Sequence, residues 1–459
     1  MKKQNNVKVC IVGAGKIGCS LIAQLAGGGC EVTAIDKELS VLNRVATTYD
    51  VICYQGNGAS YDILVEAGVK DCDIFIAVTG ADEFNILSCL TAHKLGAKNT
   101  IARVRNVDYA MKSDFYKDVF GLSMTINPEY ATANEIQRLL HFPSATRVDL
   151  FAKGRAELVE MKVEPDNAIV SKSLMEFNRS MKINLLICAI VRDGEIIVPK
   201  GETVINEGDV LYITGAPKVF RDAFKKMNMK IKPVNSVMIF GGSRIAYYLA
   251  KILQNNNIRV TLIEKNHEAA VELAEAIPGI TVMQSDAMEY FTSMSENDIK
   301  NTDACIALTN NDEYNLIASM YAKSKNIHKV ITKMNSGSSL KELKKDDITY
   351  VAKENAATDV IVGYARSLMA AENMGAIESM YRLMDGKLEF MEFSVRTDEE
   401  YINKPLKELK LKKRLLIACI IRNRQAIIPR GDDVIKNGDS VIIVTVDNQI
   451  SRLQDIFEG

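Results

Sequence analysis

The chain repeats itself, and a duplication of nearly its whole length limits what it can fold into more than any single motif does. The segment VTAIDK at Val32–Lys37 returns as VTLIEK at Val260–Lys265. IAVTGADEFNIL, starting at Ile76, returns as IALTNNDEYNLI from Ile306, and RDGEIIVPKGETVINEGD from Arg192 returns as RNRQAIIPRGDDVIKNGD from Arg422. The offset is 228 residues for the first pair (32 to 260) and 230 for the other two (76 to 306, 192 to 422), so the duplication is whole and in order. A repeat of roughly 230 residues is far longer than a solenoid unit and large enough to hold two domains of its own.

Within each copy the pattern changes character once. The first part alternates helical periodicity with short apolar strands, expected at Val7–Val12, Glu31–Ile35, Val51–Tyr54, Ile74–Val78 and Ile101–Val104. That alternation predicts a parallel sheet wrapped by right-handed crossovers. From about Val148 the chain becomes strand-rich. Runs at Phe151–Val163, Leu185–Val191, Glu195–Val198 and Val210–Thr214 are separated by turns at Arg192–Gly194, Pro199–Gly201 and Glu207–Asp209, the pattern of a small α+β domain. A helix is expected between the two parts. Ala133, Ile136 and Leu140 share one face of it, as Ala357, Ile361, Tyr364 and Leu368 do in the second copy. Such a stripe packs either on its own domain or on another chain. The expected fold class is therefore α/β: Rossmann-like domains at 1–127 and 235–353, crossover helices at 128–146 and 354–375, and small α+β domains at 147–227 and 376–459. A short link near Asn228–Asn235 joins the copies.

Composition removes several classes of function. With 57 basic and 58 acidic side chains the net charge is -1, which gives no electrostatic reason to expect nucleic acid or an anionic membrane surface as partner. No run approaches the roughly 18–20 apolar residues needed to span a bilayer. The first lysines lead straight into a glycine loop and not into a signal-peptide core, so the chain is expected in the cytosol. Nine cysteines are scattered without a CxxC pair and mostly inside strand-like runs, the pattern of buried free thiols. His93, His141, His267 and His328 show no ligand spacing, so no metal site is expected.

The strand Val7–Val12 runs into Gly13-Ala14-Gly15-Lys16-Ile17-Gly18, which opens a helix. In that context Gly13 permits the tight turn, Gly15 lets backbone approach a pyrophosphate, and Gly18 lets helix and strand pack closely. The free amides and positive helix end face the phosphates, and Lys16 can reach their oxygens. Asp36 follows Gly15 by 21 residues (15 to 36), at the end of the second strand, where a carboxylate accepts from ribose hydroxyls. A carboxylate there favours NAD(H) or an adenine nucleotide over NADP(H), although the neighbouring Lys37 softens that preference. The second copy departs from the motif: its loop is Gly241-Gly242-Ser243-Arg244-Ile245-Ala246 and Glu264 stands for Asp36. Ser243 brings a Cβ to the position of phosphate approach, which leaves nucleotide binding and a degenerate structural role as equal readings of that copy.

No second set of catalytic residues accompanies these loops. A dehydrogenase needs a base or acid and a substrate clamp, and no His–carboxylate or Ser/Cys–His arrangement recurs between the copies. Pro199, Gly201, Gly208 and Asp209, with Pro429, Gly431, Gly438 and Asp439, read as turn formers. Asp82-Glu83 and Asp312-Glu313 fall where a helix would start and suit capping there.

The glycine loop with Asp36, the AVTGADEFNILSCLTAHKLG segment and the VPKGETVINEGDVLYITG module together closely resemble the TrkA family, cytosolic subunits of Trk potassium uptake systems related to the RCK (KTN) domains of potassium channels. The resemblance covers nearly the whole chain. It implies a Rossmann-like domain followed by a TrkA-C domain, twice over, with no enzymatic activity. It implies NAD(H) as ligand, with ATP or ADP as alternatives, and a TrkH-like membrane transporter as partner. It also implies a homo-tetramer that forms a ring of eight RCK units at the inner face of the plasma membrane. Carried onto this chain, Gly13, Gly15, Lys16, Ile17 and Gly18 line the phosphates and Asp36 holds the ribose, with Lys37 beside it. Val78, Thr79 and Glu83 follow the fourth strand, and Arg103 lies near the phosphates or a subunit contact. Asn57 stands where the family often has Asp near adenine, whereas the second copy keeps Asp286 there. Gly241, Ser243, Arg244, Glu264 and Asp286 are the corresponding, weaker set. The expected mechanism is gating by population shift; an NAD-dependent oxidoreductase and a nucleotide-sensing transcription regulator are the alternatives. In some relatives the small domains bind cyclic dinucleotides, and no residue here decides that point.

Overall fold

The computed structural model describes residues 7–106, 119–142, 145–181, 183–228, 233–335, 348–372, 377–384, 387–395, 399–446, 450 and 452–458. Part of the link expected at Asn228–Asn235 and the end of the expected helix 354–375 lie outside them. Two compact units form, and each pairs like with like. One comprises Met1–Gln137, Ser236–Asn326 and Val330–Ala365; the other comprises Arg138–Asn235, Ile327–Lys329 and Arg366–Gly459.

The first unit holds both Rossmann-like domains. In the first copy, strands β1 (Lys8–Val12), β2 (Glu31–Asp36), β3 (Ile52–Gln55), β4 (Ile74–Ala77), β5 (Asn99–Arg103) and β6 (Met124–Ile126) form one sheet in the order β3-β2-β1-β4-β5-β6. All its pairings are parallel, with Val9 opposite Val32 on one side and Ile74 on the other. β1 and β4 carry near-continuous apolar runs because helices cover both faces of such a sheet. β6 was absent from the expected strands, since three residues make too short a run to stand out. In the second copy β12 (Ser236–Phe240), β13 (Arg259–Glu264), β14 (Thr281–Gln284), β15 (Ala304–Ala307), β16 (Lys329–Met334) and β17 (Thr349–Ala352) repeat the arrangement in the order β14-β13-β12-β15-β16-β17. In both sheets the order reverses beside the first strand, which opens a crevice at the carboxyl ends.

The helices Pro128–His141 and Lys353–Glu372 follow the two sheets. Ala133, Ile136, Leu140, Ala357 and Ile361 are buried as their shared faces predict, whereas Tyr364 and Leu368, expected on the same face, are only half-buried. Asn127 caps the first helix by accepting from the Tyr130 amide at 2.9 Å, and Pro128 sits at its first position, where a missing N–H costs nothing. The copies meet through Asn127, which donates to the Tyr248 hydroxyl at 2.9 Å, and through the edge-to-face pair Tyr130–Tyr248.

The second unit holds both small domains. β7 (Ala145–Phe151), β8 (Ala156–Lys162), β9 (Leu185–Arg192), β10 (Glu195–Ile197) and β11 (Val210–Gly215) form an antiparallel sheet, and β18 (Ile377–Leu383) to β22 (Ser440–Thr445) form its counterpart. The expected single run Phe151–Val163 is broken by a turn at Ala152–Gly154, where Ala152 has φ +50° and Gly154 φ +82°. A run of apolar residues carries no sign of such a left-handed step. The two sheets share one core: Phe151, Cys188 and Tyr212 of the first copy pack with Phe390, Cys419 and Val444 of the second. The Phe390 ring lies 6.3 Å from Phe151 and 6.1 Å from Tyr212, centroid to centroid.

Asp209 does more than form a turn. Its fully buried carboxylate takes a bidentate pair from Arg192, Nε to Oδ1 and Nη2 to Oδ2 at 2.8 Å each, and also accepts the Asn206 amide. The second copy repeats the arrangement with Arg422, Asp439 and the Lys436 amide. Gly208 and Gly438, at φ +81° and +85°, supply the left-handed step before each aspartate. Asp209→Ala leaves Arg192 with the Val204 carbonyl alone and orphans that amide, and is expected to cost about 3 kcal/mol in a denaturant titration.

Glu157, on β8, is buried and its Oε2 has no hydrogen-bond partner. Burial pushes its carboxyl up to about 7, with Arg138 pulling the other way. A carboxyl raised in the folded state contributes stability below its ordinary value of 4.5 and loses it as pH rises through 7. Glu157→Gln should therefore match the parent at pH 4 and exceed it at pH 8 by up to about 3 kcal/mol. Thermal unfolding of both proteins across that range checks the sign.

Candidate nucleotide site

The first glycine loop is shaped by two contacts that leave no room for side chains. Gly13 has φ +96°, and a Cβ there would lie 3.0 Å from Thr79 Cγ2. At Gly18 a Cβ would fall 1.9 Å from the Gly13 carbonyl oxygen, so only glycine lets the helix Lys16–Ala26 settle onto β1. Gly15 is different. It sits at the N-cap of that helix with no side-chain cap, and a Cβ there would meet nothing within 4 Å.

Asp36, at the end of β2, braces the loop from the side. Its Oδ2 accepts the Ala14 amide at 2.6 Å and its Oδ1 accepts the Glu38 amide at 3.0 Å. Across the switch point, Thr79 is held by Asn85: the Thr79 amide and hydroxyl both donate to Asn85 Oδ1, at 2.9 and 2.6 Å. Asn85 Nδ2 in turn donates to the carbonyls of Thr79 and Arg103, so one fully buried amide ties the ends of β4 and β5 together.

These elements enclose a cleft of about 700 Å³. Of the residues expected from the sequence, Gly13, Gly15, Lys16, Ile17, Asp36, Lys37, Val78, Thr79 and Arg103 line it. Gly18 lies beneath it against the Gly13 carbonyl. Asn57 sits between the lining residues Gly56 and Gly58, and its side chain accepts the Ala59 amide. Glu83 does not line this cleft; it faces another, of about 570 Å³, with Asp82 and Arg105. Lys37 turns its ammonium over the Phe84 ring at 5.2 Å. Arg103 Nη1 donates to the Thr79 carbonyl at 3.1 Å, while its buried Nε has no partner, and burial lowers its affinity for a proton.

Sequence reasoning missed Asn85, Phe84, Lys353 and Glu354. Asn85 carried a signal, since it recurs as Asn315 with the same contacts to Thr309. Lys353 and Glu354 come from the second copy, and no local pattern marks them as neighbours of the first loop. Asp82 does not cap its own helix. Its Oδ2 accepts the amides of Arg105 and Asn106, 2.7 Å each, and pins the exit of β5.

The second copy keeps the frame and closes its own polar groups. Gly241 has φ +96°, and Glu264 repeats the role of Asp36 by accepting the Gly242 amide at 2.5 Å and the Asn266 amide at 2.7 Å. Ser243 caps its helix, with Oγ accepting the Ala246 amide at 3.4 Å. Asp286 accepts the Tyr314 hydroxyl at 2.5 Å and the Met288 amide, and it pairs with Lys265. Ser243 and Arg244 line the cleft that holds Glu83 and Arg105.

The TrkA-N domain family matches residues 9–128 and 237–354, and the TrkA-C domain family matches 158–228 and 390–458. The chain is 31% identical to the Trk system potassium uptake protein TrkA homolog of Archaeoglobus fulgidus, across 98% of this chain and all of that one. Identity is 30% to TrkA homolog 2 of Methanosarcina mazei (98% and 100% covered) and 29% to TrkA of Vibrio alginolyticus (98% and 99%). Among solved structures, the GsuK channel bound to NAD superposes with a TM-score of 0.60 at 15% identity, covering 97% of this chain and 78% of that one. The GsuK RCK domain does so at 0.58 and 16%, covering 97% and 93%. With two TrkA-N and two TrkA-C domains in tandem, the chain belongs to the TrkA family.

Proposed function

We propose that this protein is a nucleotide-sensing regulatory subunit of a potassium transport system, with its sensor in the cleft of the first copy. The observation that carries the proposal is Gly15. Close contacts within the first copy account for glycine at Gly13 and Gly18, but nothing in the chain lies within 4 Å of a Cβ at Gly15. The second copy carries Ser243 at that place and uses it as a cap, so the fold itself accepts a side chain. A ligand that approaches the uncapped amides accounts for the glycine. Phosphate fits, because a helix start with free N–H groups and a nearby lysine suits an anion.

The proposed ligand is NAD(H), with ATP or ADP as alternatives. Gly13, Gly15, Lys16 and Gly18 would form the phosphate loop and Asp36 would hold the adenosine ribose. Val78, Thr79 and Arg103 would flank the far end. The proposed domain limits are 1–127 and 235–353 for the Rossmann-like pair and 147–227 and 376–459 for the small pair. The shared name of the relatives, Trk system potassium uptake protein, supports the transport role. The GsuK channel bound to NAD is a precedent for nucleotide in this fold. The protein would act as a tetrameric ring of eight RCK units on a TrkH-like membrane partner, at the inner face of the membrane. Its regulation needs no chemistry on the nucleotide, only tighter binding to one state of the ring. Reversing a 1:99 balance takes roughly 5.5 kcal/mol of preference, which several sites can share.

Calorimetric titration with NADH, and separately with ADP, should give one site per chain. Asp36→Ala should weaken it about tenfold to a hundredfold, the worth of a charge-assisted hydrogen bond. Gly15→Ser should abolish binding while leaving the unfolding midpoint unchanged or slightly raised, as a new cap would. A Gly15→Ser protein that binds as the parent does overturns the site. Potassium flux through a reconstituted TrkH-type partner should change with nucleotide and lose that response in Gly15→Ser; flux indifferent to nucleotide overturns the regulatory role.

A further inference from the structure

We propose that Lys353, delivered by the second copy, is a ligand-directed residue of the first copy's cleft, held by Glu129 until the phosphates of a bound nucleotide compete for it. The inference rests on the nucleotide reading above and adds to it a residue and a route of coupling. Lys353 and Glu354 open the helix Lys353–Glu372 and line the cleft beside Gly15, Lys16 and Arg103. The Lys353 ammonium pairs with Glu129 at 2.9 Å, where the Glu129 side chain is 6% exposed and that of Lys353 25%. The lysine is thus anchored in the protein but open on one side.

The carboxylates around it are not saturated. Glu129 Oε2 and Glu354 Oε2 are both buried without a hydrogen-bond partner, as is Arg103 Nε. Arg103, Lys333 and Lys353 lie among Glu129, Glu354 and Asp312, so charges of both signs crowd this side of the cleft. Phosphates add negative charge to them. An ammonium on a flexible four-carbon stem with three donors can turn to meet them, whereas Glu129 cannot follow. The repeat supports a specific role. The two crossover helices align with Glu129 opposite Glu354 and Ile136 opposite Ile361, which puts Pro128 opposite Lys353. At this helix position the first copy's cleft is given a lysine by the second copy, whereas the counterpart that the first copy offers in return is proline.

The coupling follows from what Lys353 leaves behind. Its ion pair with Glu129 ties the first turns of the helices Pro128–His141 and Lys353–Glu372. A nucleotide that draws Lys353 toward phosphate loosens that tie and leaves a buried carboxylate undercompensated at the start of the first helix.

Titration of the full chain with ADP and with NADH tests this in three proteins: the parent, Glu129→Gln and the double variant Glu129→Gln/Lys353→Met. Glu129→Gln frees the lysine and should tighten binding, by about fivefold to tenfold for a charge-assisted contact. The double variant leaves no orphaned carboxylate partner, and its thermal midpoint reports that it is folded. It should lose the gain and bind at least about tenfold more weakly than Glu129→Gln. Equal affinity in Glu129→Gln and the double variant overturns the role of Lys353, while parent binding keeps the nucleotide site. Unchanged or weaker binding in Glu129→Gln alone also overturns it, whatever the double variant does. A parent that binds neither ADP nor NADH overturns both readings.

Discussion

The first unit depends on how closely one helix is allowed to approach one strand. The Gly13 carbonyl and the Gly18 Cα are so near that no Cβ fits between them. That contact sets the direction of the helix Lys16–Ala26, and with it the amides that Asp36 braces and the opening that Thr79 and Arg103 close from the other side. Elsewhere the sheet tolerates ordinary apolar variation, because parallel strands buried on both faces ask only for bulk. Here the requirement is steric. The second copy seats Ala246 at the corresponding place while Gly241 keeps the same φ of +96° and its amide the same bond to the second strand, Gly241 N to the Ile263 carbonyl as Gly13 N to that of Ile35.

The two copies have taken different answers to the same polar problem. A glycine loop exposes amides, and a carboxylate at the end of the second strand can satisfy only some of them. In the second copy Ser243 takes one more, and Tyr314, Lys265 and the Met288 amide occupy Asp286. In the first copy Gly15 leaves the helix start uncapped, and Asn57 turns to its own loop. Closure from within and openness to an outside partner are alternative ways to meet the cost of buried donors and acceptors. The bidentate pairs Arg192–Asp209 and Arg422–Asp439 show no such divergence, because a turn in a small sheet has no external partner to replace it.

Much of this was legible in the sequence, for reasons that differ by element. The strands that start each sheet were plain, since Lys8–Val12 and Ser236–Phe240 are apolar runs that end in glycine. The glycine loop and Asp36 could be placed because their spacing is a local property of one strand–helix–strand unit. The left-handed step at Ala152 could not, because alanine gives no hint of a positive φ. Nor could Lys353: a residue recruited across the repeat is positioned by tertiary packing, which leaves no periodic mark. Asp209 was read as a turn former when its partner Arg192 lay 17 residues earlier, at the other end of a hairpin that sequence alone does not fold. Glu83 followed the family pattern into the right loop and still faces a different cleft.

The small sheets carry a consequence of their own. Phe390 packs against Phe151 and Tyr212, and Cys188 shares a core with Cys419, so each sheet has one apolar face that meets residues of the other copy. A polypeptide that held a single repeat would expose that face to water and could persist only as a pair of identical chains. Joining the halves in one chain makes the dimer permanent and independent of concentration. It also lifts the demand that both halves be the same. A symmetric pair must accept every substitution twice; a fused pair can keep a glycine in one half, place a serine in the other, and send a lysine across from a position where its counterpart is proline.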